Sequence, residues 1–281
     1  VVTAVVAFAL LAVQGRGHRP FETVIVGLLA VILVGFLYSL VAGGVDPLSV
    51  AQGAVPRFSG RESLLIAAGM LGATVMPHAI YLHGALTNER YVADTAEQRS
   101  ALLRSQRIDV VTAMSLAGLV NLAMLAIAAR LFFGRQPAVD TIEKAHERLN
   151  GALGPTAALL FALALLASGL ASSSVGTFAG QIIMQGFLRR RVPLLVRRLV
   201  TLSPALLVLA LNVDTTQALV ISQVVLSFGI AFALVPLVLL TRRADVMGSL
   251  VNRQATTVVA SVVAAVIIVM NVILLVFTVL A

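Results

Sequence analysis

Apolar stretches of about 20 residues, separated by short clusters of Arg, Gly, Pro and Asp, recur along the whole chain and constrain its fold more than any other feature. A helix of that length, rising about 1.5 Å per residue, crosses a hydrocarbon core roughly 30 Å thick. With 59% apolar and 11% charged residues, the chain has too few polar groups to cover a water-soluble surface. The sequence therefore predicts an all-α membrane protein, a single transmembrane domain over 1–281. Full spans are expected at about 22–43, 63–92, 100–133, 154–186, 193–211, 215–240 and 255–280, after a partial span at 1–13. That first stretch is too short to cross and lacks the basic start of a signal peptide, so it reads as the end of a helix in a longer protein.

The formal net charge of +8 does not point to nucleic acid, because the arginines fall in loops between apolar segments. Fourteen of the 20 Lys and Arg residues lie in the loops at 14–22, 88–107, 187–198 and 241–253, and six in the alternate set. Cytoplasmic loops are the richer in Lys and Arg, which puts the first set inside and the C-terminus outside. Nineteen of those 20 residues are Arg, and a bacterial inner membrane is the expected location. The chain has no cysteine, which excludes disulfides, thiolate metal sites and thiol redox chemistry. Any transition-metal site must use other ligands.

Several features read as architecture. In the loop after residue 135, Asp140 is expected to cap a short amphipathic extramembrane helix with Glu143 three residues on, leaving His146 solvated. Gly176 and Gly180 form a small-xxx-small pattern suited to close helix packing, with Ser172, Ser173 and Ser174 as alternative pathway-lining residues. Pro204 and Pro236 read as kinks.

The stretch that carries chemistry is Gly69-Met70-Leu71-Gly72-Ala73-Thr74-Val75-Met76-Pro77-His78-Ala79-Ile80-Tyr81-Leu82-His83, in the middle of a span. Pro77 removes a backbone donor and clashes with the carbonyl of Ala73, while Gly72 and Thr74 weaken the helix before it. The helix is expected to break near 73–77. In lipid such a break is tolerated only where protein or water satisfies the freed backbone groups, and transporters use it to build midplane sites. The Ala73 carbonyl is thus a candidate oxygen ligand. Met76 offers a thioether, poor for Mg²⁺ or Ca²⁺ but acceptable to Mn²⁺, Fe²⁺ and softer ions; packing is the competing reading. His78 and His83, five residues apart, point about 140° from each other on a regular helix and cannot readily chelate one ion. Proton handling or gating suits them better, with a hydrogen bond inside the bundle as the alternative.

The run Met76-Pro77-His78-Ala79-Ile80-Tyr81-Leu82-His83 resembles the sixth-helix signature of the Nramp family of divalent-metal/proton symporters, and the spacing of spans is similar to that family's fourth to eleventh helices. The resemblance implies a LeuT-type fold with inverted five-helix repeats, here the second repeat and the end of the first. It implies import of Mn²⁺, Fe²⁺ and related ions such as Co²⁺ and Cd²⁺ with protons. It assigns Met76, the Ala73 carbonyl and Gln223 to the metal, with Thr74 and Asn121 beside the ligands. His78, His83, Arg197 and Arg198 would belong to the proton route; for the two arginines, positive-inside anchoring is an equal alternative. The implied partners are the metal ion, protons, the bilayer and further helices of the same protein, with no cofactor.

One departure stands out. The family takes further ligands from an Asp-Pro-Gly-Asn motif that this sequence lacks, and Asp46-Pro47-Leu48-Ser49 lies in an outer loop. The chain alone is therefore expected to be inactive. Three other classes compete. An intramembrane metalloprotease would place two His at i and i+4 with a Glu between them, and a haem-binding subunit would pair His on facing spans. A LeuT-fold amino-acid symporter is the nearest rival, against which Met76 beside a proline break argues.

Overall fold

The computed structural model describes residues 18–53, 55, 60–90, 95–134, 136–188, 193–211 and 213–279. The expected partial span at 1–13 and the arginines at 189–191 lie outside the described residues. The described elements are helical: α1 (His18–Ala42), α2 (Pro47–Gly53), α3 (Arg61–Thr74), α4 (Pro77–Arg90), α5 (Ala96–Leu131), α6 (Ile142–Leu153), α7 (Pro155–Leu188), α8 (Leu194–Ala210), α9 (Thr215–Thr241), α10 (Ala244–Met247) and α11 (Gln254–Val279), with a 3₁₀ turn at Gly248–Leu250. Six runs are long and apolar enough to cross a membrane, the pair α3/α4 counting as one. At 17 residues, α8 is shorter than those runs.

The exposed surface of the helices is apolar, unlike that of a water-soluble protein. Val, Leu and Ile lie exposed along α1, α5, α9 and α11, whereas Ser39, Ser174, Thr177, Ser227 and Asn271 are buried. Apolar groups outward and small polar groups inward is what lipid selects, because polar side chains can be satisfied only by neighbouring helices.

The chain divides into two compact units. The first contains α1, α2, α5, α6 and most of α7. Its core joins Phe36, Ala123, Ile127, Leu149 and Ala164. Phe36 meets Phe161 edge to face, centroids 6.2 Å apart. Gly35 makes the close packing there possible, since a Cβ would stand 3.0 Å from the Leu160 carbonyl oxygen. The expected close approach at Gly176 and Gly180 is absent among the described residues: a Cβ at either would meet open space. The buried face of α7 instead runs through Ser174, Thr177 and Ala179.

The extramembrane helix α6 forms, but its cap lies one residue later than expected. Thr141, not Asp140, accepts the Lys144 N–H at 3.3 Å, and Asp140 pairs with the Lys144 ammonium at 2.6 Å. The hydroxyl leaves the carboxylate free for that (i, i+4) ion pair. His146 is half-buried. In the same unit Asp46-Pro47 opens α2: the Asp46 carboxylate accepts from Leu48 N–H, Ser49 N–H and the Ser49 hydroxyl, with Pro47 in the first helical position.

The second unit contains α3, most of α4, α9, α10 and α11. Contacts step along α3 and α9 in the same direction: Gly69 meets Val220 and Val224, Gly72 meets Gln223 and Ser227, and Pro77 meets Gly229. The two helices therefore run parallel. α11 runs antiparallel to α9, because Ser227 pairs with Asn271 while Thr241 pairs with Asn252 just before α11.

Candidate functional site

The site is built where α3 stops. Val75 N–H donates the last α3 bond, to Leu71 O at 2.9 Å, and Val75 then takes non-helical angles (φ −105°, ψ 84°). Ala79 N–H resumes the pattern with a bond to Met76 O at 3.1 Å. Pro77, at the first position of α4, has no N–H to give to the Ala73 carbonyl, and its ring disfavours helical angles for Met76 before it. Val75 and Met76 are thus the two non-helical residues between two 14-residue helices. Thr74 lends its hydroxyl to the Met70 carbonyl at 2.7 Å, tying it back into α3.

α9 lies against both sides of the interruption. A Cβ on Gly72 would stand 1.8 Å from the Gln223 carbonyl oxygen and 3.0 Å from Ser227 N, so only glycine fits there. Past the break, Pro77 Cγ lies 3.2 Å from where a Cβ on Gly229 would sit. Gln223 is itself partly buried, and its Oε1 is buried with no hydrogen-bond partner. An unsatisfied amide oxygen in an apolar bundle is unfavourable, by about 1–3 kcal/mol, unless something electropositive meets it.

Two hydrogen bonds tie α9 to α11 beside this point. Asn271 Nδ2 donates to Ser227 O at 3.0 Å, and the Ser227 hydroxyl lies 2.7 Å from Asn271 Oδ1 and 2.6 Å from Val224 O. Sequence reasoning passed over both residues. The signal was available, since Asn271 is the one polar residue in the run 262–277.

Of the residues singled out by sequence, Gly72, Ala73, Thr74, Met76, Pro77, His83 and Gln223 all fall in this one unit. Met76 and Pro77 are half-buried; Ala73, Thr74 and His83 are exposed. His78 lies in the first turn of α4 and Arg197 and Arg198 lie in α8, but the side chains of all three fall outside the described residues. Asn121 belongs to the other unit, exposed on α5. Among the described residues no three of His, Cys, Asp and Glu come together as a metal site. A cleft of about 520 Å³ beside the end of α5, lined by Leu131, Pro137, Lys144, Glu147 and Arg148, contains none of the residues singled out.

Apolar outward, polar inward and interrupted in mid-span against an intact neighbour, the chain is a multi-pass membrane protein of the class that builds sites from discontinuous helices. Its sequence matches the family profile "Natural resistance-associated macrophage protein-like" over residues 1–277, and the chain belongs to the Nramp family. It is 52% identical over 281 residues to the divalent metal cation transporter MntH of Mycobacterium tuberculosis, covering 99% of this chain and 65% of that protein. The MntH of Deinococcus radiodurans is 49% identical over 272 residues, covering 96% and 62%. That of Bacillus subtilis is 47% identical over 279 residues, covering 99% and 66%. The chain thus spans 62 to 66% of the length of these relatives. Among solved structures, the Eremococcus coleocola manganese transporter in complex with an aromatic bis-isothiourea substituted compound superposes with a TM-score of 0.77 at 29% identity, covering 97% of this chain and 62% of that one. The all-α, LeuT-type membrane fold implied by the Met-Pro-His signature is the fold of this chain.

Proposed function

We propose that this chain belongs to a transporter that moves divalent transition metals, Mn²⁺ and Fe²⁺ first among them, together with protons by alternating access. The observation that carries the reading is the interruption between Thr74 and Pro77: it presents Met76 and the Ala73 carbonyl in mid-span, while the neighbouring helix offers the buried, unpartnered Oε1 of Gln223. A thioether with carbonyl and amide oxygens suits Mn²⁺ or Fe²⁺ and leaves Ca²⁺ and Mg²⁺ poorly served. His78 and His83, on the helix that leaves the break, carry protons in this reading; Arg197 and Arg198 join that route, and Thr74 and Asn121 shape the surroundings. The relatives named divalent metal cation transporter support the substrate class.

The same reading puts the protein in a bacterial inner membrane with its C-terminus outside. The parallel run of α3 and α9, and the antiparallel run of α11, support the alternation of loops from which that orientation follows.

The test is uptake of Mn²⁺ in proteoliposomes against Ca²⁺ and Mg²⁺ competition, using the complete natural polypeptide that carries this sequence. Wild type is expected to take up Mn²⁺ despite excess Ca²⁺, and Met76→Ala to lose that discrimination by about tenfold, the weight of roughly 1.4 kcal/mol at one ligand. Absence of Mn²⁺ uptake, or a Met76→Ala protein of unchanged selectivity, overturns the reading.

A further inference from the structure

We propose that Asn271, acting through Ser227, is a positioning residue that sets the depth at which Gln223 stands against the helix break. The inference rests on the metal-site reading above and deepens it, since it assigns a role to two residues that the reading does not use.

The argument is one of register. Gln223 and Ser227 are four residues apart on α9, so one backbone hydrogen bond separates them and they share a helix face. Gly72 sits directly over that peptide pair, approaching both the Gln223 carbonyl and Ser227 N. From α11, which packs on both α9 and α3, Asn271 grips the same residue, its amide donating to Ser227 O at 3.0 Å and its Oδ1 lying 2.7 Å from the Ser227 hydroxyl. Ser227 is 1% exposed and Asn271 6%, so water cannot substitute for either contact. The Ser227 hydroxyl has one proton to divide between Asn271 Oδ1 and Val224 O, so the amide donation to Ser227 O is the firmer contact, and a slide along the helix axis would break it and leave both groups unsatisfied in an apolar bundle. α9 is held at this level by two neighbours, by α3 through a glycine that admits no Cβ and by α11 through a polar clasp. Gln223, with its orphaned Oε1, is the side chain whose placement that double constraint decides.

The experiment is a double-mutant cycle in the complete polypeptide, reconstituted as above, with Asn271→Ala, Gln223→Ala and the pair. Asn271→Ala is expected to raise KM for Mn²⁺ roughly fivefold to tenfold with maximal rate little changed, and to add almost nothing once Gln223 is already Ala. Ser227→Ala, which leaves the Asn271 bond to the Ser227 carbonyl intact, should give a smaller rise in the same direction, and it carries the cycle if Asn271→Ala fails to reach the membrane. Independent, multiplying effects of the two substitutions, or an unchanged KM, overturn the proposal. A second readout separates this failure from failure of the transport reading. Residues 1–281 contain no cysteine, so with any cysteine elsewhere in the complete polypeptide replaced by Ser, Gln223→Cys supplies one thiol whose rate of modification reports the placement of position 223. If wild type moves no Mn²⁺, a modification rate altered about tenfold by Asn271→Ala still supports the clasp, and a rate within about twofold overturns it.

Discussion

The interrupted pair α3/α4 and the unbroken helix α5 occupy similar lengths of chain, 61–90 and 96–131, yet only the first comes apart. Glycine alone is not the reason, since α5 runs through Gly118. Nor is proline alone: α8 continues through Pro204 and α9 through Pro236. What differs is conjunction. Gly72, Thr74 and Pro77 fall within six residues, Thr74 bonds backward into α3, and α9 lies close enough to hold both stumps. A membrane helix opens where local weakness coincides with a neighbour able to fix the ends.

The hardest blow to this contrast would fall on Gly72. Gly72→Ala puts a Cβ 1.8 Å from a backbone oxygen, which forces α3 away from α9 and exceeds the ~1–3 kcal/mol typical of overpacking. Mn²⁺ uptake should be lost. Gly118→Ala meets open space within an intact helix and should leave uptake unchanged while stabilising α5 by about 0.5–1 kcal/mol. Equal effects of the two substitutions, measured by uptake and thermal unfolding, would erase the distinction between the helices.

Next in size is Pro77→Ala, which restores an N–H opposite the Ala73 carbonyl and frees Met76 to take helical angles. Amide exchange at 75–77 is expected to slow as the helix closes, and uptake to fall roughly tenfold. Unchanged exchange would mean that α9, not the proline, opens the helix.

The break itself was legible because its causes are local: each of Gly72, Thr74 and Pro77 acts on its own backbone. The α9 contact was not, because a glycine's lack of a Cβ matters only once the Gln223 carbonyl is known to lie opposite it. The same limit explains Gly176 and Gly180, whose spacing is that of a packing motif but which find no described partner. It also explains the cap of α6, where Asp140 and Thr141 are both good caps and the ion pair to Lys144 decides between them. Asn271 could have been noticed as a lone polar residue, but its mate Ser227 lies 44 positions away.

Smaller again is Asn121→Ala. The residue is exposed on α5 in the first unit, whereas the ligand candidates lie in the second. The substitution should change Mn²⁺ uptake by no more than about threefold, below the ~1 kcal/mol that separates a surrounding residue from a ligand. A loss as large as that of Met76→Ala would place α5 at the site and require the two regions to be read as one.

The least effect is expected at the helix starts, where the first unit uses two kinds of cap. α5 begins with a neutral capping box: Thr95 Oγ1 accepts from Gln98 N–H at 3.2 Å and Gln98 Oε1 from Thr95 N–H at 3.3 Å. α2 begins with a charged one, whose Asp46 carboxyl is held below the ordinary range chiefly by the Ser49 hydroxyl and then by the Ser49 and Leu48 N–H groups. A carboxyl lowered in the folded state lends its stabilisation above the ordinary carboxylate pKa and loses it as the pH falls through the lowered value. Acidification should therefore loosen 47–53 more than 95–98, where the acidic residue of the first turn, Glu97, is not the cap, while Thr95→Ala should fray 95–98 by about 1 kcal/mol. Amide exchange followed from neutral pH to about pH 3 distinguishes the two. Equal loosening of both ends on acidification would mean that the Asp46 carboxylate adds nothing beyond what Glu97 does at the start of α5, whereas a larger loss at 47–53, with Mn²⁺ selectivity intact at neutral pH, keeps the caps as local devices separate from the break.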